Sequence, residues 1–131
     1  MSYREDLDKL IIWAESRGYM VDISPSGDNS VDKESKIISI SSRRDIRYQV
    51  CVLLHECGHV QIFDNSGTMD MDDLTSKGGK NSRKRKTAVL IEEVEAWRRA
   101  INLSKKLNIS VETEYIKSCM INAILKYAKW C

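Results

Sequence analysis

The only two histidines of this chain lie four residues apart, with a glutamate directly after the first. They form His55-Glu56-Cys57-Gly58-His59, an H-E-x-x-H sequence inside the apolar stretch VCVLLHECGHVQIF. On a helix, residues four apart share a face, so both imidazoles can reach one metal ion while Glu56 projects beside them. Zinc suits two neutral imidazole nitrogens with an oxygen ligand, and a catalytic zinc site keeps a fourth position for water. The ion lowers that water's pKa, and an adjacent carboxylate can take its proton and pass it to a leaving amine. The spacing therefore predicts a Zn2+ site with His55 and His59 as ligands and Glu56 as the general base.

The flanks predict where this segment sits. Val50, Val52, Leu53 and Leu54 precede the motif and Val60, Ile62 and Phe63 follow it, which makes a helix from about Asp45 to Phe63 apolar over most of its girth. Two imidazoles and a carboxylate are costly there unless partnered. Cys57 turns away from the histidines and reads as a small apolar side chain.

A third ligand is sought in IEEVEAWRRA, within a long helix expected from Thr87 to Leu107. Leu90, Val94, Trp97 and Ile101 lie along one stripe, and at about 100° per residue Glu93 falls inside that apolar arc. An acid on a buried face needs a cation, so Glu93 is the expected oxygen ligand, with Glu92 and Glu95 as alternatives outside the arc. Two tyrosines, Tyr48 and Tyr115, are candidate donors to a developing oxyanion.

Around these, the chain predicts a helix from Ser2 to Arg17, N-capped by Ser2 and closed by Gly18. Strands are expected at Tyr19 to Ile23 and at Lys36 to Ser42, with a short hairpin partner near Val31. A last helix, with Ser110 as its N-cap, is expected to run to Cys131. The expected architecture is a single α+β domain over 1–131, a short sheet packed on the motif helix and covered by the N-terminal helix and the two C-terminal ones.

Composition restricts the class. With 131 residues, 31% charged and 42% hydrophobic, and a net charge of +2, the chain reads as one ordinary globular domain. The four cysteines form no C-x-x-C pair and no secretory leader is read, so reduced thiols in a cytoplasmic setting are expected. No apolar run is long enough for a bilayer. Residues 64–86 are expected to be a mobile loop, acidic first and then basic; with no interleaved aromatics its basic run reads as a solvated stretch, and the alternative is that Lys77, Lys80, Arg83, Lys84, Arg85 and Lys86 contact nucleic acid or an acidic partner.

Taken together, these motifs resemble the ImmA/IrrE family of zincin-like metallopeptidases, from about Arg17 to Ala100. The matching residues are Gly18-Tyr19-Met20-Val21 at the first strand, Arg47-Tyr48 before Leu54-His55-Glu56-Cys57-Gly58-His59, and Glu93-Val94-Glu95-Ala96-Trp97-Arg98-Arg99-Ala100 for the family's E-x-E-A-N-x-F-A pattern. Trp97 and Arg99 stand where that pattern has asparagine and phenylalanine, and the compact set is similar to small phage-encoded zincins. The resemblance implies that His55, His59 and Glu93 bind zinc and that Glu56 is the base of peptide hydrolysis in one or a few protein substrates. Competing readings are a zinc-bound binding or inhibitor module, a protease recruited to DNA by the basic loop, and a metal-free DNA-binding regulator.

Overall fold

The computed structural model describes residues 2–64 and 83–130, with the side chain of residue 130 left aside. Among these residues the fold is α+β, four helices and one three-stranded sheet. Lys77 and Lys80, and residues 65–82 of the expected loop, lie outside the described residues.

Helix α1 (Tyr3–Glu15) starts as its sequence requires, the Ser2 hydroxyl accepting the Glu5 N–H at 3.1 Å. It ends where Gly18 takes φ +85°, letting the Tyr19 N–H fold back onto the Ala14 carbonyl at 3.1 Å. Strands β1 (Met20–Ser24), β2 (Ser30–Asp32) and β3 (Ile37–Ser41) follow, in the order β1-β3-β2. β1 runs parallel to β3, with Val21 opposite Ile38 and Ile23 opposite Ile40, while β2 runs antiparallel and sets Val31 opposite Ile38. Ile38 and Ile40 are fully buried, as alternation along β3 demands. β2, the short partner expected near Val31, is left as a sheet edge.

Helix α2 (Ile46–Asp64) carries the motif, and eleven of its residues from Val50 to Ile62 are buried. Asp45 caps it, its carboxylate accepting the Tyr48 N–H at 2.9 Å. The sheet packs on α2 through β3 and β2, α1 covers another side, and helix α3 (Arg83–Lys106) packs along it. Helix α4 (Thr113–Trp130) packs on α3. It also meets α2 at one end, where Arg47 lies 3.7 Å over the Tyr115 ring, and beyond that contact the two helices border a cavity.

Two expectations are corrected. α3 begins at Arg83, so Arg83, Lys84, Arg85 and Lys86 form its first turn rather than the end of a loop. Lysine and arginine are good helix formers, and a run of like charge conceals that propensity. Ser110 does not cap α4, which starts three residues later. Its N–H and hydroxyl instead donate to the two oxygens of Asp6, at 2.9 and 2.5 Å, and Asp6 is fully buried. That pair pins α1 to the segment between α3 and α4.

Candidate metal centre

Helix α2 sets His55 and His59 one turn apart on the side facing α3. Gly58, between Cys57 and His59, lies against the backbone of Ala96 on α3, and any Cβ there would collide with the Ala96 carbonyl. The bare glycine lets the two helices approach closely, and Glu93, one turn before Ala96 on α3, then reaches the histidines.

One carboxylate oxygen of Glu93, Oε2, lies 2.8 Å from Nε2 of His55 and 2.9 Å from Nε2 of His59. The three ligand atoms lie within 4.8 Å of one another. In a tetrahedral zinc site with bonds of about 2.0–2.1 Å, donors are roughly 3.3 Å apart, so these side chains need only small rotamer adjustments to hold an ion. His59 and Glu93 are buried and His55 nearly so. Two imidazoles and one carboxylate at this spacing form a group that could hold a metal ion.

The surroundings orient these donors. Glu92 places an oxygen 3.2 Å from Nδ1 of His59, and Glu56 places one 3.5 Å from Nδ1 of His55. A carboxylate on the far nitrogen fixes the ring and leaves Nε2 directed inward. Trp97 stacks on His55 with ring centroids 4.3 Å apart and planes 6° apart, and Phe63 flanks His59 at 6.2 Å. Trp97 thus forms the wall behind one histidine.

The charges are strongly linked. Burial alone would lower both imidazole pKa values. Hydrogen bonds to Glu56 and Glu93 reverse this for His55, and those to Glu92 and Glu93 push His59 up to about 10. Burial likewise raises Glu93, but the two imidazoles outweigh it and hold its carboxyl far below the usual range. In the metal-free protein the carboxylate is anionic and imidazole protons neutralise it. A cation binding there displaces those protons.

The three acids of IEEVEA therefore divide. Glu93 joins the histidines, Glu92 supports His59 from behind, and Glu95 points elsewhere, accepting from Arg98 at 2.6 Å and Arg99 at 2.6 Å. Cys57 is fully buried, and burial raises its thiol pKa, as befits a packed apolar side chain.

The donors stand in the wall of a cavity of about 890 Å³ between α2, α4 and the edge of the sheet. Glu56, Tyr48, Tyr115 and Val31 all line it. Tyr48 and Tyr115 have arginines over their rings, Arg44 at 3.9 Å and Arg47 at 3.7 Å. The tyrosine that reaches the metal group is a different one. Tyr127 of α4 lines the cavity and hydrogen-bonds Glu93, and burial followed by that bond raises its pKa. Its position on the packing stripe of α4 conceals this in the sequence, where the only signal is the hydroxyl at the tip of an otherwise apolar face.

No helix among the described residues is long and apolar enough to cross a membrane. Compared with known proteins, the chain matches no protein-family model, no curated protein and no solved structure.

Proposed function

We propose that this chain is a zinc-dependent metallopeptidase of the ImmA/IrrE type, acting on one or a few protein substrates. The observation that carries the reading is the single Glu93 oxygen shared by Nε2 of His55 and His59, in a cavity wall that also holds Glu56. A structural zinc site closes with four protein ligands; the metal-ligating group found among the described residues offers three.

The roles follow from position. His55, His59 and Glu93 would hold the ion, and zinc, when bound, supplies Lewis acidity toward the peptide carbonyl and toward water. Glu56 stands beside the ligands without joining them, and would accept the proton of the attacking water and return it to the departing amine. Tyr127, which hydrogen-bonds Glu93, would donate its hydroxyl to the carbonyl oxygen as charge develops. Asn29, Ser30 and Val31, at the β2 edge, line the same cavity and offer main-chain groups to an extended peptide.

The test uses protein purified without chelators. About one zinc per chain is expected in the wild type and in Glu56→Gln, with hydrolysis of a peptide library by the wild type alone. The reading fails if the wild type takes up no divalent metal, or if Glu56→Gln cleaves as fast as the wild type.

A further inference from the structure

Helices α2 and α4 meet beside the cavity through a repeated step of four residues. The Arg47 guanidinium lies 3.7 Å over the Tyr115 ring. One turn further on in each helix, the thiols of Cys51 and Cys119 are hydrogen-bonded to each other. The next turn brings His55 and Ala123 to the cavity wall, and the one after it His59 and Tyr127. The two cysteines are thus in register where α4 joins α2, one turn from the candidate metal centre. Their surroundings differ. Cys51 is completely buried, whereas Cys119 is partly exposed and lines the cavity.

We propose that Cys51 and Cys119 form an oxidisable pair, in which Cys119 is the thiol attacked by hydroperoxides and Cys51 resolves the product into an intrachain disulfide. The proposal is independent of the peptidase reading. Reactivity toward peroxide follows thiolate character and access, and Cys119 has both. Cys51 and the Tyr115 hydroxyl are its polar neighbours and Arg44 and Arg47 add positive charge, so its pKa lies below the usual thiol value despite partial burial, whereas the same pairing and burial raise that of Cys51. Asp45, close to Cys51 and Tyr115, is the opposing charge.

The chemistry balances in two steps. The Cys119 thiolate attacks the terminal oxygen of a hydroperoxide, forming an S–O bond as the O–O bond breaks. The sulfur is oxidised to a sulfenic acid, and the leaving oxygen takes up a proton as water or an alcohol. Cys51 then loses its proton and its sulfur attacks that of Cys119, the S–S bond forming as the S–O bond breaks and hydroxide leaves with the proton as water. Closure requires the two Cα atoms to stand about 4.4–6.8 Å apart. The resulting bond would clamp α4 to α2 beside the cavity.

The test treats the full chain with one equivalent of hydrogen peroxide, then alkylates, digests and maps the peptides by mass spectrometry. A Cys51–Cys119 linked peptide is expected, with loss of two thiols per peroxide. Cys119→Ser, at a partly exposed position, should slow peroxide consumption at least about tenfold. Cys51→Ala should leave a sulfenic acid on Cys119 that dimedone captures. The proposal is overturned if the links formed are to Cys57 or Cys131, if Cys119→Ser consumes peroxide at the wild-type rate, or if the wild type shows no faster reaction than an unfolded peptide containing Cys119.

Discussion

Gly58 and Ala96 are in direct backbone contact: the glycine of the H-E-x-x-H motif lies on the Ala96 carbonyl of α3, with no room for a side chain between them. Ala96 is one turn from Glu93, so this contact sets the depth at which the carboxylate enters between the two imidazoles. The motif's variable fourth position is not variable in this fold.

Gly58→Ala should therefore damage both stability and site. The added methyl meets backbone, which cannot rotate away, so α3 must shift. A loss of about 2 kcal/mol or more is expected from overpacking, with a melting temperature lower by roughly 5–15 °C in a domain of this size. Thermal unfolding and zinc content measured on the same preparation check this. Wild-type values in both would mean that the helices are not held this closely.

The two neighbouring acids should separate by magnitude. Glu93→Ala removes a donor and leaves two buried imidazoles without their shared carboxylate, so zinc binding should be abolished. Glu92→Ala removes only the support on Nδ1 of His59 and should weaken zinc binding by about 10–100-fold. Competition with a chromogenic chelator measures both, and equal losses would contradict the assigned roles.

Stability of the metal-free protein should depend on pH in opposite senses on the two sides of a window. His59 is raised to about 10 on folding, so its contribution is fully present below the unfolded value of about 6.5 and is lost as pH rises toward 10. Glu93 is depressed, so its contribution is present above the unfolded value of about 4.3 and is lost as pH falls. Urea midpoints of chelator-treated protein should therefore be highest near pH 5–6 and fall toward pH 10. Added zinc should reverse the alkaline decline, because the ion binds deprotonated imidazoles. A midpoint that rises from pH 6 to 10 without metal would refute this charge arrangement.

Asp6 provides the contrast, a buried acid remote from the site. Asp6→Ala leaves the Ser110 N–H and hydroxyl without their acceptor, and a donor left unsatisfied in a buried place costs about 1–3 kcal/mol. Stability should drop by roughly 2–4 kcal/mol while zinc stoichiometry stays at its wild-type value. Denaturant unfolding with parallel metal analysis checks the pair of readouts, and loss of metal would tie α1 to the site in a way the contacts do not.

Much of the site was legible because it is written in local periodicity. Four-residue spacing puts His55 and His59 on one face whatever surrounds them, and the apolar arc of α3 singles out Glu93 because a helix turns by a constant angle per residue. The Ser2 cap and the Gly18 terminus are equally local, since each is decided by hydrogen bonds within a few residues. What the tertiary structure alone decided lies between elements distant in sequence. Glu92 behind His59, Tyr127 on Glu93, Cys51 against Cys119 and Asp6 holding Ser110 each join two helices, or a helix and a linker. No periodicity encodes such pairs, because they depend on how far one helix slides along another. In this protein, close packing at Gly58 and Ala96 sets that register for α2 and α3.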